Sequence, residues 1–360
     1  MFKKIIYFAL LLAFSVFLVS CNIDTSTKDK TKAHEHSFVY GCDSRNHYYV
    51  CECGEEKDYA PHQFIEKIEG NSLIQSCSVC NYEKKAKQLI TLVNGIKYVD
   101  NNYYIDSEEG LLNFAAIISG SNDEYLRDTF QNTNVRLTRN LDMTNHPWSP
   151  ITEEISYTYE EQYHKDNYME GMIFDGAGYS IDNLNITGER SVAFIGITSS
   201  SFTIQNLTFN KANISASSGW VGAVIGYSSN NVSLINVKVI DSNIGGENAY
   251  KVGGLIGMGQ LAFGQLTIID CSVTNTSFKG EYSISGLIGE LTGTTNCTFT
   301  NNIVANCNFK VKQGELKSSP FAVWDANYMS LDRQNNLNYF NSGTNCSNNT
   351  NKDNNFVYGQ

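Results

Sequence analysis

Positive charge is in short supply in this sequence, with 26 Lys+Arg against 37 Asp+Glu and a formal net charge of -11 over 360 residues. A nucleic-acid partner needs a basic face for phosphate, so that class is excluded. Proline is nearly missing, at 4 residues, and charged side chains make up only 18%. With apolar residues at 41%, the chain holds enough material for a sizeable core, and wholesale disorder is excluded. Long helical periods are also lacking. Asn, Thr, Ser and Gly are abundant instead, a bias towards short strands and turns. The length suggests two or three domains.

Only one long apolar run is present. Lys3 and Lys4 precede Ile5 to Phe17, and Leu18-Val19-Ser20-Cys21 follows. A basic start, an apolar stretch of about a dozen residues and small residues before a cleavage point describe an export signal. The run falls short of the ~20 residues a membrane-spanning helix needs. Its last four residues resemble the lipobox of bacterial lipoproteins. That resemblance implies that residues 1–20 are removed and that Cys21 carries diacylglycerol, anchoring the chain to a lipid bilayer at the cell surface. Residues 21–33 read as a polar tether.

Residues 34–88 concentrate the metal-binding side chains. Four of the 6 histidines lie here, with Cys42, Cys51-Glu52-Cys53 and Cys77-Ser78-Val79-Cys80. Two short Cys pairs with a His between them match the layout of a structural zinc site, because each pair puts two thiolates on one turn. Cys53, His62, Cys77 and Cys80 are the expected ligands, with Cys51 and His47 as substitutes. An exported protein also permits disulfides here, and a module this small needs one staple or the other. The expected metal site is closed and structural, with no open coordination position. The stretches around His47-Tyr48-Tyr49-Val50-Cys51, Pro61-His62-Gln63-Phe64 and Cys77–Cys80 resemble small zinc-ribbon-like Cys/His modules of Gram-positive surface proteins.

Residues 89–133 read as a linker and a helical cap. The spacing predicts a helix starting at Asp106, with Glu109 as its capping partner and Leu111, Leu112, Phe114, Ala115 and Ile118 on its apolar face. A short turn at Tyr125 to Phe130 completes it.

From residue 134 to 310 the pattern repeats. Phe194-Ile195-Gly196, Val224-Ile225-Gly226, Leu255-Ile256-Gly257 and Leu287-Ile288-Gly289 recur at spacings of 30, 31 and 32 residues. A second column holds Asn206, Asn236, Asp270 and Asn301, and a third holds Phe209, Val239, Val273 and Val304. Each unit reads as three short strands that cannot bury an apolar face alone, so the expected fold is mainly β, a right-handed parallel β-helix. The stretch Val252-Gly253-Gly254-Leu255-Ile256-Gly257 resembles the GLUG motif of bacterial surface proteins, which implies such a scaffold without fixing an activity. Asn302 stands where a hydrophobe is expected, which predicts a looser core there. Residues 311–360 lose the period and read as a cap or irregular tail, with Asn345-Cys346-Ser347 as a remnant rung within it.

The scaffold suggests adhesion or binding to glycans or proteins without catalysis. The alternative is a polysaccharide lyase or hydrolase, which needs facing carboxylates. Asp241, Asp270 and Glu290 fall in different columns, so no enzymatic role is expected. The candidate contacts are Tyr157, Tyr159, Tyr163 and Tyr168 in a long loop between rungs, and Trp220 at the mouth of one.

Overall fold

Short strands separated by two-residue corners, of which only the first residue faces out, do not fold back into hairpins, so each coil must find its hydrogen-bond partners on the coils above and below. In this computed structural model they do. It describes residues 35–358, apart from 121–123, 154, 159–160, 166, 261–264, 293–295, 313–317, 320, 325–328 and 331–344. Residues 1–34, with the expected export signal and Cys21, lie outside the described residues. The chain divides into two units, Met1–His62 and Gln63–Gln360.

The described part of the first unit is an antiparallel sheet of Phe38–Cys42, Asn46–Cys51 and Glu56–Pro61. Its first hairpin is closed by Asp43, whose Oδ1 accepts from the backbone N–H groups of Arg45 and Asn46, each at 2.7 Å. The Asn46 and Arg45 bonds hold the Asp43 carboxyl below its usual range.

The second unit opens with a second antiparallel sheet, Phe64–Glu69, Ser72–Cys77 and Lys87–Gln88. A meander of Ile90–Val93, Ile96–Val99 and Asn102–Ile105 follows, and its last strand pairs in parallel with Asn134–Leu137. From there the chain is a parallel β-helix. Phe202–Gln205, Thr208–Asn210, Asn213–Ala216, Trp220–Val221 and Ile225–Ser228 make one coil, and their counterparts stack in register on either side. Each central coil therefore carries five strands, not the three expected. One of the two extra strands is a piece of two or three residues, too short to show an alternating pattern. Ile195, Ile225, Ile256 and Ile288 lie one above another, and Ala322 continues the column.

The corners explain the second column. Asn206, Asn236, Asp270 and Asn301 are all left-handed, with φ of 52 to 57°. Asn and Asp tolerate that conformation best among side-chain-bearing residues. Their amides stack: Asn236 Nδ2 donates to Asn206 Oδ1 at 3.0 Å, and Asn301 Nδ2 to Asp270 Oδ1 at 2.9 Å. A second left-handed corner follows three-residue strands at Lys211, Asp241, Asn275 and Asn306.

Each left-handed residue is followed by one that points inward. At the first corner these are Leu207, Val237, Cys271, Asn302 and Asn349. Asn302 is fully buried, but the core does not loosen around it. Its Oδ1 accepts from Cys271 N–H at 2.9 Å and its Nδ2 donates to the Ile268 carbonyl at 2.8 Å. The amide thus pairs two backbone groups of the preceding coil that a hydrophobe would strand.

Glycine after each apolar pair is set by close approach. A Cβ on Gly257 would sit 2.6 Å from Val221 N and 2.7 Å from Gly226 O, both backbone atoms.

The first coils of the stack are covered within this unit. Helix α1 (Glu108–Ile118) is capped by Ser107, one residue after the expected start, because the Ser107 hydroxyl accepts from Gly110 N–H at 3.1 Å. Glu109 instead accepts from the Asn94 side chain. The helix lays Leu111, Phe114, Ile117 and Ile118 over the first coils, with Phe114 and Phe174 rings 5.4 Å apart. At the other end the repeat outlasts its visible period. Asn345–Ser347, Thr350–Lys352 and Asn355–Tyr358 pair in parallel with the last full coil, and Phe356 stacks on Phe309 at 4.3 Å.

Candidate functional site

The Cys/His residues sit on tight turns. In the first unit, Cys51 to Glu55 turn back on themselves: Gly54 N–H donates to the Cys51 carbonyl and Cys51 N–H to the Glu55 carbonyl, both at 2.8 Å. Gly54 takes φ of 86°, which only glycine adopts at no cost. The donor atoms of Cys51, Cys53 and His36 lie within 4.8 Å of one another. His36 Nδ1 is 3.4 Å from Cys53 Sγ, and His36 Nε2 is 3.0 Å from Glu55 Oε2. The backbone N–H of Glu55 works to lower the Cys53 thiol, but its hydrogen bond to Cys51 and its desolvation outweigh this, and the net direction is up.

This grouping corrects one expectation. Cys53 is gathered with His36 and Cys51, not with His62. The imidazole beside His62 is that of His47, at 5.9 Å between ring centres. His62 Nε2 donates to the Asp43 carbonyl at 2.8 Å, which leaves Nδ1 as its lone-pair nitrogen. Sequence spacing could not show this, because His36 reaches Cys53 through the pairing of Phe38 with Cys51 across two strands. In the second unit, Cys77 and Cys80 share the turn that ends Ser72–Cys77. Asn81 closes it with φ of 60°, and Val79 N–H points at Cys77 Sγ at 3.5 Å.

The tyrosine-rich stretch is not a structureless loop. Ile155–Thr158 and Glu161–Lys165 form an antiparallel hairpin. The side chains of Tyr157, Tyr159 and Tyr163 lie outside the described residues. Tyr168 is half-buried against the core, with its hydroxyl accepting from Arg127 Nη1 at 3.1 Å and the guanidinium 4.7 Å over its ring. It anchors the cap, so it is not an exposed platform. Trp220 is also half-buried and stacks on Tyr227 at 4.7 Å. The hairpin is fixed at its base by Glu153, which is fully buried.

A recess that sequence reasoning missed lies in the second unit. It has a volume of about 740 Å³ and is lined by Glu66, Lys97, Tyr104, Arg136, Arg139 and Tyr179, among others. These positions are far apart in sequence and meet only because the Phe64–Glu69 strand lies against the first coils. Arg136 pairs with Glu66 at 3.0 Å, and Arg139 with Glu108 at 3.2 Å. Burial, then the Glu66 charge, push the Tyr104 hydroxyl up to about 12. Tyr179 stays 36% exposed, an aromatic face open to a ligand.

No protein-family model matches the chain. An immunoglobulin A1 protease from Streptococcus sanguinis is 28% identical over 177 residues, which is 42% of this chain and 8% of that protein. A crystal structure of a candidate immunoglobulin A1 protease from Bacteroides ovatus covers 72% of this chain and 78% of that one, at 13% identity and a TM-score of 0.39. The chain thus spans under a tenth of the length of its curated relative. The name of the Streptococcus sanguinis protein overturns the expectation of no enzymatic role, since the similar protein is named as a protease.

Carboxylates in the coils are not isolated either. Glu290 is buried, pairs with Lys251 on the preceding coil, and accepts from the Ser283 hydroxyl at 2.9 Å.

Proposed function

We propose that the mature chain is a lipid-anchored protein displayed at the cell surface, whose β-helix recognises a glycan or protein ligand in a protease-related setting. GLUG-like repeats would supply the scaffold, Cys21 the anchor, and zinc the staple of the Cys/His segment. The recess around Arg136 and Tyr179 carries this reading. It combines paired and exposed polar groups with two tyrosines, which suits a hydroxyl-rich or peptide surface. Immunoglobulin A1 is the first ligand to try, because the similar Streptococcus sanguinis protein is named for acting on it.

The test is surface-plasmon binding of the mature chain to purified immunoglobulin A1, with a gel assay for its cleavage in parallel. Saturable binding that weakens at least tenfold in Tyr179→Ala with Arg139→Ala supports recognition at the recess. Cleavage would add a catalytic role. Absence of both binding and cleavage, with immunoglobulin and with bacterial or host glycans, would overturn the proposal.

A further inference from the structure

We infer that His36, Cys51 and Cys53 form a metal site of their own for Zn(II) or a similar thiophilic divalent cation, with no fourth protein donor among the described residues. Three observations carry it. The first is spacing. Tetrahedral zinc with Zn–S near 2.3 Å and Zn–N near 2.0 Å holds its sulfur and nitrogen donors about 3.5 Å apart, and His36 Nδ1 is 3.4 Å from Cys53 Sγ. The Cys51 sulfur lies within 4.8 Å of both.

The second is the orientation of the imidazole. His36 Nε2 faces Glu55 Oε2 at 3.0 Å. A carboxylate on the far nitrogen fixes the tautomer that leaves Nδ1 bare towards the thiols, the arrangement metal-binding histidines use. The third is the backbone. The turn from Cys51 to Glu55 is closed by two hydrogen bonds of 2.8 Å, so both sulfurs are carried on one rigid loop.

Among the described residues no fourth His, Cys, Asp or Glu donor joins this group. Cys53 and His36 are exposed, so water or an incoming ligand can complete the coordination shell. Such a site differs from the closed four-ligand site that the Cys/His spacing suggests. It would exchange its metal readily, and its ligand thiolates would be the ones open to oxidation or to an added thiol.

The test uses the mature chain, stripped with chelator under reducing conditions and titrated with Co(II). The readouts are metal equivalents bound and the thiolate-to-cobalt charge-transfer band. His36→Ala and Cys53→Ser change exposed side chains, so folding is preserved; circular dichroism checks this. Each is expected to remove one equivalent and part of the band. Glu55→Gln is expected to keep the stoichiometry and weaken affinity by about 10- to 100-fold. Full wild-type stoichiometry and affinity in His36→Ala would overturn the inference. Because His36 is outside the ligand set nominated by spacing, loss of that other zinc would lower the wild-type total without erasing the difference His36→Ala makes.

Discussion

The Thr198 hydroxyl donates to Glu153 Oε2 at 2.8 Å, deep in the β-helix and beneath the tyrosine-rich hairpin. It is one of five donors on that carboxylate. Ser199 N–H and Ser200 N–H reach the same oxygen, and Met169 N–H and the Ser200 hydroxyl reach Oε1. Glu153 precedes the hairpin, Met169 follows it and the other donors lie on the next coil, so the buried carboxyl group ties the two ends of the insertion to one coil.

Glu153→Gln keeps the shape but turns an NH2 group towards donors. Whichever oxygen the NH2 replaces, at least one buried donor loses its bond to the carboxyl group, at about 1–3 kcal/mol. Urea unfolding should show a fall of that order. A change under about 0.5 kcal/mol would mean that the carboxylate is not the tie.

Gly257→Ala is expected to lower the melting temperature well beyond any surface Ala substitution. The added Cβ meets backbone atoms of two neighbouring strands, which cannot move aside as a side chain can. Scanning calorimetry checks this, and an unchanged transition would show that the coils have slack at their glycine column.

Asn302→Leu restores the hydrophobe of its column yet should destabilise. It removes the partners of Cys271 N–H and the Ile268 carbonyl, both buried. Hydrogen exchange at the amide of Cys271 should accelerate in this variant. Protection equal to the parent's would return the position to ordinary packing.

Burial pushes the Cys271 thiol up to about 12, with backbone hydrogen bonds only partly opposing it. A raised acid stays neutral in the fold but ionises near its usual pKa when unfolded. The stability it contributes is therefore complete below about pH 9 and is lost as pH rises towards 12. Cys271→Val should flatten that alkaline decline, measured as unfolding midpoints from pH 8 to 11. An identical pH profile in both proteins would contradict the assignment.

How much of this was legible in the sequence depended on whether a signal was periodic. The isoleucine column was, because Ile195 to Ile288 recur at nearly constant spacing and each must be covered by the next. The first Asn/Asp corner was too, since only a few side chains accept φ near 55°. The second corner was harder to see, because Lys211 interrupts its Asp241 and Asn275 pattern. The recess at Arg136 and the His36 cluster were not legible at all. Their members are brought together by strand pairing across dozens of residues or by the antiparallel register of two short strands, neither of which leaves a spacing to read. The last coil was legible only at Asn345-Cys346-Ser347, because more than thirty residues without a readable period separate Val311 from Asn345, although the strands beyond still find their ladders.

Every coil presents the same corner chemistry and the same ladder to the coil on either side. A stretch of about thirty residues copied in the gene would therefore slot between two existing coils with its contacts already matched, and would lengthen the rod by about 4.8 Å. The length of the stack can thus change by duplication or deletion of a single repeat, leaving the helix over its first coils in place.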